Sequence, residues 1–154
     1  MENTNGNFSY SKNYGEKNVD SPILIASISK LSTSACIFIL KEQNKLSLDD
    51  KLSKYFLEDT LHHLHLHKGR DYTTTLTISQ LLCKTSGLPD VFEEGASSIR
   101  KRVMEEDIGF SFDEIITMTK EMKTHFAPVS GKRAHYADIN FDLLGKIIET
   151  VTHL

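Results

Sequence analysis

Ser27 and Lys30 stand three residues apart at the end of the apolar run Ser21-Pro-Ile-Leu-Ile-Ala-Ser-Ile-Ser-Lys30. On a helix that spacing puts both side chains on one face. A serine becomes a nucleophile when a neighbour takes its proton, and a lysine sheltered from water gives up its own proton more readily, so it can act as that base. A helix beginning at Ser27 would add its positive dipole end, which favours developing negative charge. The same pair also fits a plain helix cap followed by a lysine that snorkels to solvent. Ser-x-x-Lys is short enough to recur by chance, and it does so at Ser98-Ile99-Arg100-Lys101, in a charged stretch with no apolar approach. A second concentration of chemistry is the run holding His62, His63, His65 and His67. On a strand His63, His65 and His67 would share one face, and histidines so spaced can hold zinc. No Cys, Asp or Glu completes the set within the run, so a surface loop is expected and no residue is assigned to a metal.

The elements that must position Ser27 and Lys30 follow from periodicity. Phe8, Tyr10 and Lys12 alternate with polar residues and end at Gly15, which predicts a strand and turn. Residues 22–26 fit a second strand or the lead-in to a helix. Ile28, Leu31, Ala35 and Phe38 recur at helical spacing from Ser27 to Gln43, and the apolar residues 35–40 predict a helix buried nearly all round. Leu48, Leu52, Tyr55 and Phe56 suggest a short helix preceded by Ser47. Thr77 with Gln80, and Ser111 with Glu114, each fit a capping box, and Phe110 and Ile115 are placed as a hydrophobic staple for the second. That helix must end before Pro128. A last helix carries Phe141, Leu144, Ile148 and Val151 on one face, with Asn140 as its expected cap. Residues 93–107 read as a charged surface stretch.

At 154 residues the chain has the length of one ordinary domain, and 39% hydrophobic with 25% charged residues permits a packed core. A net charge of -3 gives no electrostatic footprint for nucleic acid, and no such partner is expected. Cys36 and Cys83 read as reduced core residues. The start lacks the pattern of a signal peptide and no apolar run has membrane-spanning length, so the expectation is a cytoplasmic chain with no membrane segment.

Three blocks together carry a resemblance. Residues 25–56, "IASISKLSTSACIFILKEQNKLSLDDKLSKYF", look like the signature stretch of the serine beta-lactamase-related family, which includes class C beta-lactamases, D-alanyl-D-alanine carboxypeptidases and family VIII carboxylesterases. Residues 76–90, "LTISQLLCKTSGLPD", are similar to its Thr-Ser-Gly-Leu block. Residues 135–152, "HYADINFDLLGKIIETVT", resemble its tyrosine motif and following helix. The resemblance implies an α/β fold of beta-lactamase/transpeptidase type. Residues 1–46 would begin the α/β domain with the nucleophile helix, and residues 47–154 would form the helical region, with most of the sheet outside this stretch. It implies acyl transfer on an ester, an amide such as a D-amino-acid peptide, or a beta-lactam, without a cofactor. Ser27 would be acylated, with its backbone N–H as half of the oxyanion hole. Lys30 would help deprotonate it. Tyr136 would share the proton traffic, although a phenol ordinarily titrates near 10 and needs a cationic neighbour such as Lys30 to do so. Asp138, in the Tyr-x-Asp pattern, and His135 would face substrate, with His135 also fitting a pocket wall.

Departures from the family pattern stand at Asp138, where class C enzymes have Asn, at Lys84, in place of a histidine, and at Val129, in place of a glycine. The last two read as structural. The third family motif, Lys-Thr-Gly or His-x-Gly on a late strand, has no counterpart after Tyr136; His67-Lys68-Gly69 fits the letters but comes too early. The alternative is therefore a non-catalytic remnant or binding module that keeps the pocket without the chemistry.

Overall fold

The computed structural model describes residues 6, 8–12, 14–95, 99–106, 108–128 and 133–153. Their elements run in the order α1 (Ser29–Glu42), α2 (Glu58–Leu61), β1 (Leu66–His67), β2 (Arg70–Asp71), α3 (Ile78–Leu82), α4 (Arg100–Glu106), α5 (Phe112–Glu121) and α6 (Ile139–Thr152), with 3-10 turns at Ala26–Ile28, Leu52–Lys54 and Thr73–Thr75. The sheet is a single antiparallel hairpin pairing Leu66 with Asp71 and His67 with Arg70. Among the described residues the fold is thus mostly helical.

Helix α6 is the centre. It packs against α3, α1 and α5. Its residues Ile139, Leu143, Leu144 and Ile147 recur at intervals of three and four and are fully buried. They meet Ile37 and Leu40 of α1, Ile78 and Leu81 of α3, and Ile116 of α5 in one hydrophobic cluster. That cluster runs without a break across residue 46.

Both capping boxes form. Thr77 and Gln80 exchange side-chain bonds with each other's backbone N–H at the start of α3, and Ser111 and Glu114 do the same at α5. Gln80 also donates from Nε2 to the Pro128 carbonyl at 2.9 Å, so one cap holds a distant loop. The 48–52 segment is tied to 76–79 by Leu52 N–H to the Leu76 carbonyl at 2.9 Å and Ser79 N–H to the Leu48 carbonyl at 2.8 Å.

Several expectations are corrected. Residues 8–15 form no strand among those described beyond an isolated bridge at Ser9, and of the two readings of 22–26 it is the lead-in to the turn and helix that forms. A strand needs a continued ladder of backbone pairs, so alternation alone does not make one. Helix α1 buries only Ile37 and Leu40; Ile28, Leu31, Phe38 and Ile39 are exposed, because the described elements pack on one side of it only. Cys36 and Cys83 are free and exposed, not core. Asn140 is not the cap of α6. It lies inside the first turn, fully buried, where its Oδ1 accepts from Ser86 Oγ at 2.6 Å and its Nδ2 donates to the Ala137 carbonyl at 3.0 Å. The histidine run is not all surface, since His65 is fully buried. Val129 and Ser98 lie outside the described residues. No helix among those described is long and apolar enough to cross a membrane.

Candidate functional site

Ser27 sits in the 3-10 turn just before α1. The residue before it, Ala26, has φ of 46°, a left-handed conformation that a residue with a Cβ rarely adopts. The turn is held by Ile28 N–H donating to the Ile25 carbonyl at 3.1 Å and Ser29 Oγ donating to the Ala26 carbonyl at 2.8 Å. Strained backbone of this kind persists only where its surroundings fix it. Here it lifts Ser27 off the helix while Lys30 stays in the first turn of α1.

The Tyr136 hydroxyl donates to Ser27 Oγ at 2.9 Å, across 109 residues of sequence. Lys30 Nζ approaches the same oxygen at 3.4 Å. Lys30 Nζ also lies 2.7 Å from Asp138 Oδ1, with 17% and 33% of the two side chains exposed. The approach is close but off the line of a directed hydrogen bond, so charge carries this contact. Two aromatic rings complete the lysine's surroundings, Tyr136 at 5.4 Å and Phe141 at 5.7 Å from Nζ to ring centroid.

The expectation that burial loosens the Lys30 proton is overturned. Burial does pull its pKa down, but contact with the Asp138 carboxylate and the Tyr136 hydroxyl, together with their charges, outweighs it, and the pKa lies above the ordinary lysine value. Lys30 rests as an ammonium. Ser27 Oγ is therefore faced by a hydroxyl donor and a cation, an arrangement suited to negative charge on that oxygen.

Three further side chains at the site were not read from the sequence. Lys84, read as structural, places Nζ 4.3 Å from the Tyr136 ring centroid, so the phenol lies between two lysines. Asp90, 2% exposed, accepts through Oδ1 from Asp138 N–H at 3.4 Å and from Phe92 N–H at 3.2 Å. Desolvation, then the nearby Asp138 and Glu94 charges, push its carboxyl up against the pull of those N–H bonds. Asp142, one helical turn after Asp138, is pushed up to about 6 by desolvation and by the Asp138 and Asp90 charges, with Lys30 opposing. Its edge stays open to solvent, so the energetic consequence is modest. Asp138 and Asp142 thus share the neighbourhood of Lys30, Asp138 takes the contact, and Asp90 stands behind Asp138. The spacing Asp138–Asp142 was a usable signal; Asp90 and Lys84 needed the fold.

The Thr-Ser-Gly-Leu segment is the frame. Ser86 Oγ bonds Asn140, as above, and also accepts from Leu88 N–H at 3.3 Å. Gly87 has φ of +79°, and a Cβ there would stand 2.1 Å from the Phe126 carbonyl oxygen, so only glycine lets the 125–126 backbone approach. His135 N–H donates to the Lys84 carbonyl at 2.8 Å, which sets the strand-like segment carrying Tyr136. The His135 ring does not point at Ser27's partners. Its Nε2 bonds Glu94 Oε1 at 2.5 Å, and the ring lies against His125 at a tilt of 31° with centroids 3.7 Å apart.

The other histidines lie elsewhere. His62 and His63 stack at 3.8 Å, His63 Nε2 is 3.9 Å from Asp71 Oδ2, and His67 Nδ1 bonds Thr124 Oγ1 at 3.1 Å.

The sequence profile of the family described as Beta-lactamase matches residues 4–154. Protein flp of Staphylococcus aureus is 31% identical over 96% of the chain, which covers 28% of that protein. Beta-lactamase-like protein 1 of Dictyostelium discoideum is 28% identical over 90% of the chain and 24% of its own length. Among solved structures, a D-stereospecific amidohydrolase from Streptomyces sp. matches with TM-score 0.72 and 25% identity, over 92% of the chain and 40% of its own. A penicillin binding protein from Bacillus halodurans matches with TM-score 0.58 and 28% identity, over 81% and 35%. The chain spans less than half the length of each of these relatives.

Proposed function

The chain belongs to the beta-lactamase family, and from that premise we propose that Ser27 is the nucleophile of a serine hydrolase acting by acyl transfer. The observation that carries the reading is the convergence of Tyr136 Oη and Lys30 Nζ on Ser27 Oγ at 2.9 and 3.4 Å. Ser27 Oγ attacks the carbonyl of an ester, an amide or a beta-lactam, and its proton moves onto the Tyr136 oxygen as the phenol hands its own proton to the leaving group. The Lys30 ammonium stabilises the serine alkoxide, and with Lys84 it stabilises charge passing over Tyr136. The Ser27 backbone N–H receives part of the carbonyl oxygen's charge. The relay leaves Tyr136 a neutral phenol and the leaving group protonated, and water then releases the acyl group from Ser27. Asp138 sets the charge and position of Lys30. The likeness to an amidohydrolase and a penicillin binding protein favours amide or beta-lactam substrates, and a D-configured peptide fits both.

The second reading, a binding module without turnover, draws on the resting state itself: Ser27 is exposed and faces two proton donors, with no free base against it among the described residues. A fluorophosphonate and a fluorescent penicillin, each followed by intact mass, separate the readings. The enzyme reading expects one covalent adduct at Ser27, lost in Ser27→Ala and slowed in Tyr136→Phe. Saturable penicillin binding without an adduct would establish the binding module instead.

A further inference from the structure

Glu94, His125 and His135 bring one carboxylate and two imidazoles to a single point. Glu94 Oε2 lies 2.8 Å from His125 Nε2, and Glu94 Oε1 lies 2.5 Å from His135 Nε2. One donor atom from each of the three residues lies within 4.8 Å of the others. The residues are separated by 31 and 41 positions in the chain, so only the fold assembles them. We propose that these three side chains form a binding site for a divalent transition metal ion of the zinc type, beside Tyr136 and separate from the Ser27 pocket.

The donor set is two nitrogens and one oxygen, the pattern of three-ligand zinc sites that leave a fourth position open. Zinc needs about 2.0–2.2 Å to each donor in tetrahedral array, hence donors spaced by roughly 3.3 Å. The Glu94–histidine separations are already short of that by under an ångström, and a small swivel of one carboxylate opens them. The open position exists as well, since the side chains of Glu94, His125 and His135 are all partly exposed. The carboxylate has one competing contact: Glu94 Oε1 also accepts from Asp90 N–H at 3.2 Å.

The backbone holds the three residues in place before any ion arrives. His125 N–H donates to the Gly87 carbonyl at 2.9 Å, His135 N–H to the Lys84 carbonyl at 2.8 Å, and Glu94 N–H to the Asp90 carbonyl at 2.9 Å. All three acceptors belong to residues 84–90, the segment that Ser86 fixes to α6. Preorganisation of this kind removes much of the ordering entropy that a loop site would lose on binding. It also gives the close pair of rings a reason. Two protonated imidazoles with centroids 3.7 Å apart would repel, whereas one dication between two neutral rings and a carboxylate leaves a single net positive charge. Each ring then carries its proton on Nδ1 and gives its Nε2 lone pair to the metal, so no oxidant or other reactant is involved. The histidine run at 62–67 had the density of ligands without the convergence; this trio has the convergence.

The test uses the chelator-treated chain, zinc titration calorimetry and cobalt absorption. One equivalent of zinc should bind, and cobalt should give the visible bands of a four-coordinate site. Glu94→Gln, which keeps the shape and hydrogen bonds, should weaken zinc at least tenfold, as should His125→Asn. The triple variant His62→Asn, His63→Asn, His67→Asn should bind as the parent does. Imidazole nitrogen resonances in the unmodified chain supply a readout that needs no variant: His125 and His135 should shift together on zinc addition. Absence of stoichiometric zinc binding, shifts confined to other histidines, or loss of binding only in the triple variant would each overturn the proposal.

Discussion

Asp138→Asn tests how Lys30 works. Asp138 Oδ1 is 2.7 Å from Lys30 Nζ, and Lys30 Nζ is 3.4 Å from Ser27 Oγ. The Asp138 charge therefore lies no more than about 6 Å from Ser27 Oγ, where it opposes a serine alkoxide by about 0.7 kcal/mol at the dielectric constant of water and about 3 kcal/mol at an effective constant of 20. Ser27 is exposed, so the lower part of that range applies. About 1 kcal/mol corresponds to roughly a fivefold change in rate. Replacing Asp138 with its neutral isostere should speed phosphonylation of Ser27 by about that factor at pH 7. The fold should be spared: Asp138 occupies the cap position of α6 but makes no side-chain cap bond there.

The pH profile separates a cationic Lys30 from a basic one. The Lys30 pKa is raised by its partners, so the ammonium is fully present at neutral pH and is lost as pH rises through the folded value. A rate that depends on the cation falls on that alkaline side, and in Asp138→Asn it should begin to fall at lower pH than in the parent. A Lys30 that served as an amine base would give the reverse, a rate rising with pH through the same range. The assay is the second-order labelling rate by intact mass, with melting temperature as the control for folding. Slower labelling in Asp138→Asn at unchanged melting temperature, or a rate that climbs on the alkaline limb, would refute the reasoning.

Residues 1–154 alone should hydrolyse nitrocefin or activated esters hardly above background, since the proposed site has the Ser27 N–H as its one assigned oxyanion donor and lack of a second costs about a hundred- to a thousandfold; burst-free turnover abolished by Ser27→Ala at rates typical of family enzymes would contradict this. Asn140→Ala should lower stability by about 1–3 kcal/mol in urea unfolding, because it strands the buried Ser86 hydroxyl, while the Ala137 carbonyl keeps the backbone N–H of residue 140. Burial holds the His65 imidazole below its ordinary pKa of 6.5, despite weaker opposing backbone interactions, so its stabilising contribution is complete above that value and is lost as pH falls through the folded pKa. Thermal melts from pH 7 to pH 5 should therefore decline, and His65→Phe should flatten the decline.

What could be read from the sequence was local. The capping boxes at Thr77 and Ser111 are decided by side chains three residues from the backbone groups they satisfy, and the composition of four residues suffices to place them. The apolar stripe of α6 is likewise a matter of period. Ser27, Lys30, Tyr136 and Asp138 were reachable because motif order stood in for distance, but their electrostatics were not. Whether Lys30 rests charged depends on the 2.7 Å contact with Asp138, and the letter pattern suggested the opposite sign. The residues whose roles the sequence did not reveal share one cause. Lys84, Asp90, Glu94 and His125 act through partners that the chain brings back from 31 to 52 residues away. Asn140 carried a helix-cap letter and became a buried tie to Ser86, and His65 sat in a polar run and became core. In each case a polar side chain's role was set by burial, which the sequence near it does not encode. The segment 84–90 is the point where these long-range effects meet. It anchors α6 through Ser86, admits the 125–126 backbone at Gly87, positions His135 from the Lys84 carbonyl and supports Asp138 through Asp90. A change at residues 85–90 would reach Tyr136 without touching a side chain proposed to act on Ser27 or Tyr136, which makes that part of the segment a positioning device for the candidate site, while Lys84 itself stands against the Tyr136 ring.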